Sequence, residues 1–305
     1  MPRNDTFNLQ TDRKEQKMHD KIKCVALDMD RTTLRSDGRL SDETADAIQS
    51  LIHKGIHVVI ASGRSYHSLP QDIMAIPGIE YAVTGNGAAV YQMTDPDSQK
   101  ELCSGKCIKR FLLIPDAVNH ILNMVGHEPC LTFEAFIDGH AYADREYIEN
   151  PVKFGASPQA VEYVKRTRKH IDDIRSYIRS HIHELDSIDI IVRDETHKKQ
   201  LYDLITGQEK RVYVTSSVKQ LLEISDCHAG KHSGLSCVLE CLGLRPEEAV
   251  AFGDADNDID MIRFAGIGIA MENASESLKL HADYITKTND EDGVIYALRH
   301  ILHLL

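Results

Sequence analysis

Residues 24–30 read Cys24-Val25-Ala26-Leu27-Asp28-Met29-Asp30: four apolar side chains in a row, closed by two aspartates two positions apart. An unbroken apolar run of this length marks a parallel strand covered on both faces, because a strand with one wet face alternates. Helix punctuation follows, with Ser41 as N-cap and Asp42 and Glu43 in the first turn. Ala45, Ile48, Leu51 and Ile52 form its apolar stripe and Gly55 its stop. Residues 58–61 repeat the buried-strand pattern, so the stretch spells a β-α-β unit. A second helix is expected around residues 65–75, then a strand over 81–84 and a turn at Gly85-Asn86-Gly87.

The alternation then stops. Residues 88–226 carry the signals of an inserted α+β domain, including a hairpin turning at Asp138-Gly139 between Phe133-Glu134-Ala135-Phe136-Ile137 and the strand with Tyr142. Pro115 and Asp116 open a helix, and an amphipathic stretch is expected over 157–181, with 165–170 as a solvated helix face. Strands are expected at 188–192, 212–215 and 221–224. From Lys231 the earlier rhythm returns. Leu235, Val238, Leu239 and Leu242 form a helical stripe closed by Gly243, before a strand over 249–252, a helix around 259–264, and strands over 267–270 and 284–286. The expected fold is α/β: a doubly wound parallel sheet built from residues 21–87 and 227–305, an insertion over 88–226, and a disordered tail over 1–20.

Composition narrows the function. The chain has 305 residues, 42% hydrophobic and 27% charged, which is ordinary for a folded protein. A net charge of −12 repels polyanions, so neither nucleic acid nor an anionic membrane is an expected partner. No apolar run approaches the roughly 18 residues of a membrane span. The first residues lack the apolar centre of a secretory signal, and seven cysteines do not form an even framework. Reduced thiols and a cytoplasmic location are expected.

Three strand ends carry polar groups: Asp28-Met29-Asp30, Ser62-Gly63-Arg64, and Gly253-Asp254-Ala255-Asp256-Asn257-Asp258. In a parallel sheet these ends converge. Carboxylates crowded together repel unless a shared proton or a hard cation offsets them, and Mg²⁺ is the simplest such cation. Asp28 and Asp30 can divide the work of nucleophile and general acid/base. Ser62 can hydrogen-bond a phosphoryl oxygen, and Lys231 and Arg64 can offset its charge.

Asp28-x-Asp30-x-Thr32, Ser62-Gly63-Arg64, Lys231 and Gly253-Asp254-x-x-Asn257-Asp258 resemble, in order, the four motifs of the haloacid dehalogenase superfamily. Asn86-Gly87-Ala88, the large insertion and the run over residues 265–294 resemble its Cof-like phosphatases. The resemblance, over about residues 22–305, implies a Mg²⁺-dependent phosphatase of small phosphorylated metabolites whose inserted α+β cap selects the substrate. It implies that Asp28 forms an aspartyl-phosphate, that Asp30 serves as acid and then base, and that Ser62 and Lys231 hold the phosphoryl group. Thr32, Arg64, Asn86 and Asn257 would contribute to phosphate or substrate binding. Asp28, Asp254 and the backbone carbonyl of Asp30 would bind Mg²⁺, with Asp258 a ligand or a support. A phosphosugar phosphomutase and a non-catalytic phosphometabolite binder are the alternatives. The chain departs from the family in having Arg31 where Gly is usual and Thr33 where an apolar residue is usual. Cys237 with Cys241, Cys103 with Cys107, and His181 with His183 lack a completed ligand set and are not expected to bind metal.

Overall fold

The computed structural model describes residues 21–93, 105–126, 128 and 130–305; the tail expected over residues 1–20, and Cys103, lie outside them. Among the described residues the strands form two sheets. The first receives β1 (Cys24–Leu27), β2 (His57–Ala61), β3 (Tyr81–Thr84), β4 (Ala89–Met93) and β5 (Gly105–Arg110). The second contains β6 (Leu131–Ile137), β7 (His140–Asp144), β8 (Arg168–Ile171), β9 (Leu185–Val192), β10 (Val212–Thr215) and β11 (Leu221–Asp226). The chain then returns to the first sheet with β12 (Ala249–Gly253), β13 (Ile267–Ala270) and β14 (Tyr284–Ile285).

The first sheet has the order β14-β13-β12-β1-β2-β3-β4-β5 and is parallel from β14 through β3. Strand β1 is buried at every position, as its unbroken apolar run requires. Its neighbours are β2 on one side and β12 on the other, so the strand order reverses at β1 and a crevice opens at the carboxyl ends of β1 and β12. The helix Asp42–His53 starts where expected, with Ser41 Oγ accepting the Thr44 N–H at 3.1 Å.

Three expectations are corrected. The helix expected over 65–75 is reduced to short turns at Tyr66–Ser68 and Gln71–Met74, because Pro70 holds the residue before it in extended backbone. The insertion was expected from residue 88, yet β4 and β5 extend the first sheet antiparallel to β3, and the second sheet starts at β6. The amphipathic stretch over 157–181 is interrupted by β8, which pairs in parallel with β7. There Arg168 turns inward onto Glu134, so residues 165–170 are not one solvated face.

The second sheet, β10-β11-β9-β6-β7-β8, has one apolar face, with Phe133, Ala135, Ile188, Ile190, Leu222 and Ile224 packed against helices Pro115–Val125, Ile174–Ser180 and Glu195–Gln208. Alternation places Thr132, Glu134, Ser187, Asp189 and Glu223 on the other face. Glu223 reaches Asn86 of the first domain, so this polar face looks onto the crevice.

Where the β6–β7 hairpin meets the core, the rings of His67 and His140 stack with centroids 4.0 Å apart. Burial holds both imidazoles below their usual range, reinforced by Lys169 and, for His140, by His67; Asp138 opposes. Groups lowered in the folded state contribute stability above their unfolded pKa, near 6.5, that is lost as pH falls. Wild type is therefore expected to lose more Tm between pH 7.5 and 5 than His67→Phe, which keeps a ring in the stack. Equal losses in differential scanning calorimetry would refute this.

Candidate active site

Asp28 follows β1 directly and its backbone N–H joins the sheet through the Phe252 carbonyl at 3.2 Å. The chain then winds through Met29–Thr33 and closes with the Leu34 N–H on the Met29 carbonyl. Thr33, where an apolar residue is usual, is buried and donates its hydroxyl to the Asp28 carbonyl at 2.6 Å. The loop is clamped from the far end of the chain. Asn273 Nδ2 donates to the Arg31 carbonyl at 2.9 Å and Asn289 Nδ2 to the Leu34 carbonyl at 3.0 Å. Arg35 forks onto Asp292, and Ser36 donates N–H and hydroxyl to Asp290. These anchors give a physical purpose to the closing run that carried the resemblance.

Lys231 begins the helix Lys231–Leu242 and is fully buried. Its position depends on a close backbone approach: a Cβ on Gly87 would lie 2.0 Å from the Gly230 carbonyl oxygen. Lys231 Nζ donates to Asp28 Oδ1 and to Asp258 Oδ1, both at 2.6 Å. Burial alone would lower its pKa, but the two carboxylates outweigh it and hold the ammonium above its usual range. Asp258 Oδ2 accepts the N–H groups of Asp254 and Ala255 at 3.0 and 3.1 Å. Both oxygens of Asp258 are thus engaged. Gly253 leaves room for this, since a Cβ there would lie 2.5 Å from the Asp258 Cβ.

Burial, then the charge of Asp258, pushes Asp28 up to about 7, against the pull of Lys231. Burial and the charges of Asp28 and Asp258 push Asp254 up to about 8. Carboxylate oxygens of Asp28, Asp254 and Asp258 lie within 4.8 Å of one another, and Asp28 Oδ2 is buried without a hydrogen-bond partner among the described residues. An all-oxygen cluster of three buried carboxylates is the donor set that fits a hard divalent cation. The Asp30 carboxylate is not part of that cluster.

The remaining candidates are brought to the same crevice with different freedoms. Ser62, at the end of β2, is buried and its Oγ accepts the Arg64 N–H at 3.1 Å. Arg64 forks onto Asp30 with Nε–Oδ2 at 2.8 Å and Nη2–Oδ1 at 2.6 Å, while the Asp30 side chain stays 54% exposed. Thr32 Oγ1 is buried and unpartnered among the described residues. Asn86 has φ +53°, and its amide is already used: Nδ2 donates to Glu223 Oε1 at 3.0 Å and Oδ1 accepts Asn257 Nδ2 at 2.9 Å. Asn257 keeps a buried Oδ1 without a partner among the described residues.

Arg31 sits in the left-handed region at φ +60°, with its side chain 60% exposed and Nε 3.9 Å from Asp254 Oδ2. That contact is an electrostatic neighbour rather than a hydrogen bond. Arg31→Gly is expected to change stability by less than about 1 kcal/mol, because relieved strain of that size is offset by greater unfolded-state freedom. Losing the cation beside Asp254 is expected to tighten divalent-ion binding by up to about fivefold. Titration calorimetry with unchanged affinity would show that Arg31 does not act on the cluster.

Sequence reasoning did not single out Tyr163, Arg168 or Asp189. The Tyr163 ring lies under two guanidiniums, with Arg64 Cζ 4.4 Å and Arg168 Cζ 4.7 Å from its centroid. Arg168 in turn forks onto buried Glu134 at 2.7 and 2.9 Å. The available signal was an acidic residue inside each of three strands that pair: Glu134, Asp189 and Glu223.

A family model described as haloacid dehalogenase-like hydrolase matches residues 25–298. Among curated relatives, 5-amino-6-(5-phospho-D-ribitylamino)uracil phosphatase YcsE of Bacillus subtilis is 29% identical over 279 residues, covering 92% of this chain and 95% of its own. Phosphatase YwpJ, also of Bacillus subtilis, is 30% identical over 300 residues, covering 92% of this chain and all of its own (100%). A solved haloacid dehalogenase-like hydrolase from B. subtilis superposes with a TM-score of 0.75 at 23% identity, covering 92% of this chain and 100% of that one. The four motifs, the converging strand ends and these matches agree: the chain belongs to the haloacid dehalogenase-like hydrolases, as a Cof-like phosphomonoesterase.

Proposed function

We propose that the chain releases phosphate from a small phosphorylated metabolite, a sugar phosphate or a nucleotide or cofactor phosphate, with Asp28 as nucleophile. The observation that carries this reading is the asymmetry of the Asp28 carboxylate. Lys231 fixes Oδ1 at 2.6 Å, while buried Oδ2 accepts no hydrogen bond among the described residues. In this reading Oδ2 attacks phosphorus as the ester P–O bond breaks, and Asp30 gives its proton to the leaving oxygen. Asp30 then takes a proton from water, the water oxygen attacks phosphorus, and the bond to Asp28 breaks to release inorganic phosphate. Lys231 offsets charge on the phosphoryl oxygens, and the hydroxyls of Ser62 and Thr32 are their donors. Arg64 positions Asp30 and has to loosen its grip for Asp30 to carry a proton; Tyr163 gives the guanidinium a second seat.

Asp28, Asp254 and the Asp30 carbonyl would hold Mg²⁺, with Asp258 supporting them through the loop it ties together. Such an ion supplies positive charge to the crowded carboxylates and to the transferring phosphoryl group. Among the described residues no helix is long and apolar enough to cross a membrane. A cytoplasmic setting is supported by six free cysteines among those residues.

The test is phosphate release from sugar phosphates, nucleoside monophosphates and 5-amino-6-(5-phospho-D-ribitylamino)uracil, the compound in the name of the Bacillus relative. Release that stops with a chelator and returns with Mg²⁺ is expected. Turnover indifferent to chelation would overturn the metal assignment. Phosphate moving to another hydroxyl of the substrate without being freed would identify a phosphomutase.

A further inference from the structure

The polar face of the second sheet carries a transverse row of carboxylates whose end, Glu223, meets Asn86 of the crevice. Asp189 on β9 is the register partner of Glu134 on β6 and of Glu223 on β11, so three acidic side chains stand side by side on one face. All three are buried, with exposures of 0%, 5% and 6% for Glu134, Asp189 and Glu223. The outer two are satisfied. Glu134 receives the Arg168 fork, and Glu223 accepts the Asn86 amide, the Ser217 N–H at 2.5 Å and the Ser217 hydroxyl at 3.0 Å. Asp189 between them accepts no hydrogen bond among the described residues.

Three buried carboxylates side by side are unfavourable for the folded chain alone, even with Arg168 on Glu134 and with Lys231 and Lys198 near Glu223. Burial, then the charges of Glu223 and Glu134, pushes Asp189 well above the usual carboxylate range, against the pull of Arg168. The row is connected to the reacting end of the crevice on two sides. Glu223 meets Asn86, which holds Asn257; Arg168 shares the Tyr163 ring with Arg64, which holds Asp30.

We propose that Asp189, flanked by Glu134 and Glu223, is the seat for the leaving group, and that it takes a group rich in hydroxyl or amine donors while rejecting a second anionic group. This rests on the phosphomonoesterase reading above and adds a selectivity to it. A hydroxylated or amino-bearing leaving group supplies the donors that Asp189 lacks. A second phosphate or a carboxylate would bring negative charge against the row, where burial leaves repulsion poorly screened.

The experiment compares kcat/KM of the Mg²⁺-loaded enzyme for a hexose monophosphate, the matching hexose bisphosphate, a phosphorylated aldonic acid and p-nitrophenyl phosphate. The bisphosphate and the aldonic acid are expected to be at least about 100-fold poorer than the monophosphate. Asp189→Leu should lower kcat/KM for the monophosphate by about 10- to 100-fold, because the sugar hydroxyl loses its partner. It should leave p-nitrophenyl phosphate, which has no hydroxyls, within about twofold. Asp189→Asn and Glu223→Gln, both close to isosteric, should each narrow the mono- to bisphosphate ratio by about tenfold. That ratio does not move if a variant merely lowers the amount of folded enzyme. Wild-type ratios within threefold of unity, or ratios unchanged in both isosteric variants, would overturn the assignment of the row. Absence of turnover on all four compounds, p-nitrophenyl phosphate included, would instead strike the phosphomonoesterase reading beneath it.

Discussion

Asp28→Asn is expected to lower kcat by about 10⁴-fold or more while leaving the fold intact, because the amide cannot supply the attacking oxygen. Shape is conserved, and an Asn oxygen in place of Asp28 Oδ1 can still accept the Lys231 proton that now sits 2.6 Å away. One negative charge leaves a buried cluster in which Asp28 and Asp254 already sit near 7 and 8. Thermal stability without metal should therefore hold or rise while activity disappears. Steady-state phosphate release together with calorimetric unfolding checks both halves. Trapping wild type with substrate and digesting it should give a phosphorylated peptide containing Asp28, absent from the variant. Turnover within tenfold of wild type would remove Asp28 from the role of nucleophile.

Lys231→Met is expected to strike stability and activity together. The methionine fills most of the same volume but leaves Asp28 and Asp258 buried without the cation that both now contact at 2.6 Å. Removing one partner of a buried ionic group costs about 3–5 kcal/mol, which for a chain of this size lowers Tm by about 5–8 °C. Loss of a charge from the phosphoryl site should reduce kcat by about 10²–10³-fold. The double variant Lys231→Met/Asp258→Asn separates the two effects: stability should partly recover, because one uncompensated carboxylate is gone, while activity should not. Urea unfolding of the three proteins measures the coupling, and strictly additive losses would show that Lys231 and Asp258 do not act as a pair.

The parallel sheet and its catalytic corner were legible because buried strands have no polar face, so polar residues next to them mark strand ends. Asp28, Ser62 and Asp254 stand out for that reason alone. Tertiary partners were harder to read. Arg168 lies in a run of basic residues that resembles a solvated helix face, and only its fork onto Glu134, 34 positions away, turns it inward. The strand containing Glu134 alternates polar and apolar side chains, a pattern normally meaning that one face meets water. Here that second face meets the catalytic domain, and alternation alone cannot tell water from a polar crevice. Residues 89–93 and 105–110 likewise carry short-range signals that suit either sheet; it is their pairing with β3 that assigns them to the first. Asn273, Asn289, Asp290 and Asp292 stand out in the sequence only through the family resemblance of the run that contains them. Their work of tying down residues 31–36 depends on contacts across roughly 240–260 positions of chain, which no local pattern encodes.

The placement of β1 between β2 and β12 also governs how the molecule comes into being. Cys24 pairs with His57, 33 residues later, but also with Ala249, 225 residues later. At ribosomal speeds of about 5–20 residues per second, the second partner emerges roughly 10–40 s after the first. During that interval one edge of the central strand is open, Asp28 lacks the Asp254 loop, and for most of it Lys231 has not been made either. The second sheet has all its strands before β12 is made, so it can form while the first waits half built. Nascent chains stopped before residue 253 should therefore be catalytically silent and prone to edge-to-edge association, and the last fifth of the chain is what converts them into an enzyme.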